Sequence, residues 1–282
     1  MTQRVSSTGV ACRTVELSHG RTRFFEAGTG DPVILLHGAG FNSGGHSWLP
    51  NLPALARRFH VYAPDAAGWG PGDQLESPYS FAYLVDFVRE FQDHLGLART
   101  HVVGHSMGGW LASLLAYESP QRVDRLVLVA AGGLATRQLT SMAAFTAPSA
   151  EDIRAAMGRL GLPADEQARL VAEWIELAAD PVRVDRFRGI MHHMSDPQVR
   201  LRYHTARRLP HVRSATLVLW GSDDQVNALA MGEQAATLIP DARLRVFDGA
   251  GHGLPMERPA EFTTAVLDFL AVDPARLGND EV

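Results

Sequence analysis

The chain has 282 residues, enough for one large domain or two ordinary ones and for a substantial core without disulfide or metal staples. Hydrophobic residues make up 46% and charged residues 20%, a globular balance that excludes disordered, collagen-like and coiled-coil chains. With 26 Lys+Arg against 31 Asp+Glu the net charge is −5, so nucleic acid is not an expected partner, and the single cysteine, Cys12, excludes an intrachain disulfide or a cysteine-based zinc cluster.

The N-terminus lacks the basic-then-apolar pattern of a secretory signal, and no apolar run reaches the roughly 18 residues of a membrane span. A soluble, cytoplasmic protein without a membrane partner is expected. In chain order, short apolar runs stop at glycine-rich turns. Arg21–Glu26 ends at Ala27-Gly28-Thr29-Gly30, and Val33–Leu36 at His37-Gly38-Ala39-Gly40. Val61–Ala63 leads to Pro64-Asp65, His101–Val103 to Gly104-His105-Ser106-Met107-Gly108-Gly109, and Leu126–Ala130 to Ala131-Gly132-Gly133. Such runs, apolar on both faces, predict buried parallel strands. Between them, Phe81, Leu84, Val85, Val88, Phe91 and Leu95 follow the rhythm of an amphipathic helix. Strands alternating with helices predict an α/β fold built on a mostly parallel sheet.

From about Leu134 to His211 the pattern is helical: Ile153–Leu160, Glu166–Ala178 and Arg183–Met194, broken by prolines. Strands return at Thr216–Trp220 and Leu244–Phe247, and a last helix is expected over Pro259–Leu270, with proline in its first turn. The expected organisation is an α/β core over 1–133 and 213–282, interrupted by a helical insertion over 134–212. The polar tail from Asp273 is expected to fray.

Gly104-His105-Ser106-Met107-Gly108 fits G-x-S-x-G between a strand and a helix. That turn exposes a serine and aims helix N–H groups at it, which marks Ser106 as a nucleophile. A serine needs a base, and the base needs an orienting acid. In this architecture the order is serine, acid, histidine. Gly221-Ser222-Asp223-Asp224 and Gly251-His252-Gly253 follow the last two strands, so Asp224 or Asp223 is the acid and His252 the base. An oxyanion needs two backbone donors. Met107 N–H follows the nucleophile, and Ala39 N–H is chosen for the other, with Gly38 or Gly40 as the alternatives. His37 and Asp65 are read as structural. Adjacent histidines such as His192-His193 do not face one point on a helix, so no metal is expected. Gly38, Gly40, His105, Trp110, Phe145, Trp174 and Phe187 are expected to line an apolar substrate pocket, with Met191 and Met194.

Taken together, these motifs resemble the α/β-hydrolase superfamily from about Arg21 to Leu270. By that resemblance Asp224, the second acid after Trp220-Gly221, takes the triad position, and residues 134–212 form a cap. Leu55–Val61, Ala131-Gly132-Gly133-Leu134 and Asp224-Gln225-Val226-Asn227 are similar to the meta-cleavage-product hydrolases, which split carbon–carbon bonds in vinylogous 1,5-diketones. That family has asparagine before the nucleophile, where this chain has His105. It has tryptophan after the catalytic histidine, where this chain has Gly253, and a Gly-Gly-Gly-Pro-Gly loop, where this chain has Gly38-Ala39-Gly40-Phe41-Asn42. Its cap arginine is matched to Arg186 or Arg188.

The first expectation is therefore a carboxylesterase-like serine hydrolase acting on an ester or lactone of a small, largely apolar molecule, without cofactors. The alternatives are a carbon–carbon bond hydrolase and a non-catalytic ligand-binding protein of the same fold. The expected partner is a small-molecule substrate, and a homo-oligomer is compatible with the composition.

Overall fold

The computed structural model describes residues 4–5, 9–74, 79–136 and 140–271. Nine strands form one sheet: β1 (Arg4–Val5), β2 (Ala11–Leu17), β3 (Gly20–Ala27), β4 (Asp31–Leu36), β5 (Phe59–Pro64), β6 (Thr100–His105), β7 (Val123–Val129), β8 (Ala215–Gly221) and β9 (Ala242–Phe247). Their order is β1-β2-β3-β5-β4-β6-β7-β8-β9. The β1, β2, β3 and β5 pairings are antiparallel. From β5 to β9 every pairing is parallel. The mostly parallel α/β sheet expected from the apolar runs is what forms.

Central strands are buried on both faces: Val33, Ile34 and Leu35 in β4, Val102 and Val103 in β6, and Val127 to Val129 in β7. That is why they read as unbroken apolar runs. Strand β2 carries no unbroken apolar run in the sequence. Its residues, Ala-Cys-Arg-Thr-Val-Glu-Leu, alternate between core and solvent, as an antiparallel strand near a sheet edge does. Cys12 lies in this strand.

The helices are α1 (Leu52–Leu55), α2 (Phe81–His94), α3 (Met107–Glu118), α4 (Thr140–Ala143), α5 (Ala150–Gly158), α6 (Ala164–Ala179), α7 (Pro181–Ser195), α8 (Pro197–Arg202), α9 (Leu229–Leu238), α10 (Leu254–Glu257) and α11 (Pro259–Leu270). Helix α2 begins where the Ser80 hydroxyl accepts the Tyr83 N–H, an N-cap. It buries Phe81, Leu84, Val85, Val88 and Phe91 along one stripe. Helices α4 to α8 all fall between β7 and β8. The tail from Asp273 lies outside the described residues. Among the described residues no helix is long and apolar enough to cross a membrane.

The chain runs from β4 to one side, into β5, and then to the other, into β6. Strand order thus reverses at β4, the point where the carboxyl ends of an α/β sheet leave a crevice for ligands. The loops after β4, β6, β8 and β9 open on that edge.

Candidate active site

Ser106 sits between β6 and α3 with φ 54° and ψ −113°, in a region that non-glycine residues rarely occupy. Three backbone bonds hold it there. Its N–H donates to Val129 O at 2.9 Å, and its carbonyl accepts from Gly132 N–H at 2.8 Å and Trp110 N–H at 3.1 Å. The turn also needs its glycines. A Cβ on Gly104 would lie 2.3 Å from Gly108 O, and one on Gly108 would lie 2.1 Å from Leu36 O.

Three distant segments meet at this serine. His252 Nε2 is 3.0 Å from Ser106 Oγ, and His252 Nδ1 is 2.8 Å from Asp224 Oδ2. A carboxylate only accepts, so Nδ1 carries the hydrogen and Nε2 offers its lone pair to the hydroxyl. Asp224 Oδ1 accepts from the N–H groups of Val226 and Asn227, each at 2.8 Å. Burial raises the Asp224 pKa, but the His252 hydrogen bond and charge and those two amides outweigh it and hold the carboxyl below its usual range. Asp223 instead accepts from the Ser222 hydroxyl at the surface, so of the two acids it is Asp224 that meets His252.

The loop after β4 is braced as its sequence suggested. His37 Nδ1–H donates to Gly38 O at 2.7 Å, while Nε2 accepts the Ala66 N–H at 2.9 Å. Asp65 accepts from Gly45 N–H at 2.7 Å and from Arg23 Nε at 2.8 Å. His105 donates from Nε2 to the backbone carbonyl of His252 at 2.7 Å. Burial, reinforced by the neighbouring His252, pushes the His105 pKa down to about 3, so the ring is neutral near pH 7.

A cavity of about 450 Å³ opens over Ser106. Gly38, Ala39, Gly40, His105 and Met107 line it on the sheet side, and Trp110, Phe145, Phe187, Met191 and Met194 contribute apolar wall. Those expected positions are brought together. Three others are not. Trp174 is buried away from the cavity, with its ring 5.1 Å from His46 and 6.0 Å from Phe41, joining α6 to the core. Arg186 is exposed, because α7 turns Val184, Phe187, Ile190 and Met194 inward and the residue before Phe187 points elsewhere. Arg188 pairs with Asp185 at 2.7 Å, one turn back on the outer face.

The cation on the cavity wall is Arg200, which the sequence reading did not single out. It is 3% exposed. Its Nε donates to Ala135 O and its Nη1 to Met194 O, both at 3.0 Å, and its guanidinium lies 5.2 Å over the Trp110 ring. No carboxylate among the described residues pairs with it, and burial alone lowers its pKa. A buried guanidinium without an acid is costly unless something else supplies the negative charge.

The family profile for the alpha/beta hydrolase fold matches residues 31–259. This chain belongs to the α/β-hydrolase family. It is 30% identical, over 96% of its length and 98% of the relative's, to 2-hydroxy-6-oxo-6-phenylhexa-2,4-dienoate hydrolase of Burkholderia cepacia. It is 28% identical, over 96% and 98%, to 2-hydroxy-6-oxononadienedioate/2-hydroxy-6-oxononatrienedioate hydrolase of Comamonas testosteroni. Among solved structures it is similar to the meta-cleavage product hydrolase CumD of Pseudomonas fluorescens IP01, with a TM-score of 0.77 and 28% identity over 92% of this chain and 97% of that one. As an α/β hydrolase with relatives of this kind, the chain is a hydrolase.

Proposed function

We propose that the protein hydrolyses a carbon–carbon bond next to a carbonyl in a small dienoate carrying a carboxylate. The observation that carries this reading is Arg200, a buried cation that no carboxylate among the described residues pairs with, on the wall of the cavity that Ser106 and His252 line. A substrate carboxylate supplies the missing charge through short, charge-assisted hydrogen bonds. Two relatives named for dienoates support the same reading. The order of expectations drawn from the sequence, with an ester first, is therefore reversed.

In this mechanism Ser106 Oγ attacks the ketone carbon and His252 Nε2 takes its proton, while Asp224 stabilises the imidazolium. The N–H groups of Ala39 and Met107 hold the resulting oxyanion. Met107 opens α3, so its N–H has no carbonyl four residues back within the helix. With the substrate's 2-hydroxyl proton moved to C5, so that it is a 2,6-diketone, collapse breaks the C5–C6 bond and its electron pair delocalises through the C3=C4 double bond onto the C2 ketone oxygen. His252 returns the proton to the departing fragment. Water, deprotonated by His252, then attacks the acyl-serine, and the acid leaves as the proton passes back to Ser106. The helices over 134–212 act as a cap, with Phe145, Phe187, Met191 and Met194 shaping the apolar end.

The departures at His105, Gly253 and the Gly38–Asn42 loop favour a second reading, an ester or lactone hydrolase using the same triad. A substrate panel separates the two. Under the first reading kcat/KM for a 2-hydroxy-6-oxo-dienoate exceeds that for a short p-nitrophenyl ester, and Arg200→Met removes the preference. Equal or better ester turnover, insensitive to Arg200→Met, selects the second.

A further inference from the structure

We infer that Glu257, an exposed glutamate outside the cavity, is the positioning residue for His252. Its Oε2 accepts the Gly251 N–H at 2.7 Å and its Oε1 accepts the Gly253 N–H at 3.0 Å. One carboxylate therefore grips the amides on both sides of the histidine. The backbone N–H of Glu257 also donates to Gly253 O at 3.0 Å. From the opposite side, His105 Nε2–H takes the His252 carbonyl at 2.7 Å.

The need for such a grip follows from where His252 sits. Strand β9 ends at Phe247 and α10 starts at Leu254, so neither element carries the histidine. Glycines flank it on both sides, and glycine adds backbone freedom. Yet the imidazole must meet Ser106 Oγ and Asp224 Oδ2 at once. A Cβ on Gly251 or on Gly253 would lie 3.0 Å from Glu257 Oε1, which shows how closely the carboxylate fills the turn. Helix capping accounts for only half of this. A glutamate reaching back to the N-cap amide, here Gly253, is like the second half of a capping box, although Glu257 stands one position later than that motif places it. The bond to Gly251, two residues before the cap, adds nothing to the helix and fixes the histidine.

The inference rests on the triad reading and not on which bond the protein breaks. Its test uses the full chain with Glu257→Ala and Glu257→Gln, and with Glu261→Gln as a control. Glu261 is exposed and pairs with Arg258 at 3.7 Å, so its loss changes net charge without touching the loop. The measurements are the rate of Ser106 labelling by a fluorophosphonate, kcat and KM on a p-nitrophenyl ester, the low-field proton resonance of the His252–Asp224 bond, and Tm. A misplaced base lowers labelling rate and kcat by about 30–100-fold in Glu257→Ala. KM stays within about 2-fold, because Glu257 itself lines no part of the cavity and the apolar wall formed by Phe145, Phe187, Met191 and Met194 is unchanged. The low-field resonance broadens or disappears. Glu257→Gln keeps one acceptor and falls between wild type and Glu257→Ala, and Glu261→Gln matches wild type. Labelling and kcat within about 2-fold of wild type in folded Glu257→Ala would overturn the inference. So would losses that merely track a loss of folded protein. Ser106→Ala keeps the two readings apart. If it retains turnover, the triad reading fails; if it is inactive while Glu257→Ala is normal, only the positioning role fails.

Discussion

The sheet edge and the helical insertion treat polar groups in opposite ways. At the edge, Ser106, His252, Asp224, His37 and Asp65 each have named partners within 3.0 Å. Toward the cavity the insertion offers Phe145, Phe187, Met191 and Met194, and the cation Arg200, which no carboxylate among the described residues pairs with. Methionine adapts to many shapes, while a guanidinium in want of a counter-charge is satisfied by few. Under the proposed function, the edge carries the chemistry and the insertion chooses the substrate.

The largest expected effect breaks the edge. Ser106→Ala should lower kcat by about 10⁴–10⁶ on any substrate, read as initial rate per mole of folded protein. Next comes the insertion. Arg200→Met should lower kcat/KM on a carboxylate-bearing dienoate by about 100-fold, as expected for removing one partner of a buried charge pair. On a neutral p-nitrophenyl ester the same variant should stay within about 3-fold, since only the uniform apolar wall remains in play. Equal losses on both substrates would dissolve the division of labour.

Acid should then weaken the core. Burial, with help from neighbouring charges, pushes the pKa values of His46 and His105 down from 6.5 to about 3. The folded protein keeps both neutral while the unfolded chain protonates them, so stability is retained above pH 6.5 and lost as pH falls toward 3. Between pH 6.5 and 5 each histidine should cost about 2 kcal/mol, seen as a falling urea midpoint. His105→Asn should remove its share of that slope. The smallest effect concerns the seam between the two regions. Arg23 in β3 pairs with Glu173 in α6 and also holds Asp65 at 2.8 Å. Glu173 is 35% exposed and Arg23 keeps its second partner, so Glu173→Gln should cost no more than about 1 kcal/mol in a urea titration.

Much of the edge was legible because its signals are local. Ser106 and His252 lie in glycine-marked turns directly after strands, and β4, β6, β7 and β8 are apolar runs that only a doubly covered sheet accommodates. Strand β2 was not legible, since its alternation is weak: Cys12, Arg13 and Thr14 interrupt it before the tight turn into β3. The choice among arginines was harder for a different reason. Whether Arg186, Arg188 or Arg200 faces the cavity depends on the rotation of α7 and the placement of α8, which packing decides. Helix α7 commits Phe187 and Met194 inward and so turns Arg186 out, while Arg200, in a short helix rich in charge, looks like an ordinary surface residue. Trp174 misled in the same way, since an aromatic on α6 can serve the core or the cavity and here it meets Phe41 and His46. The grip of Glu257 on Gly251 and Gly253 joins residues close in sequence, but nothing in the residue types announces it.

The most direct measurement is the mass-spectrometric identification of products from a 2-hydroxy-6-oxo-dienoate incubated with the purified protein and with Ser106→Ala. Cleavage to a 2-hydroxydienoate and a carboxylic acid by the wild type, absent in the variant, is the predicted result. An unchanged dienoate beside Ser106-dependent hydrolysis of a neutral ester would contradict it.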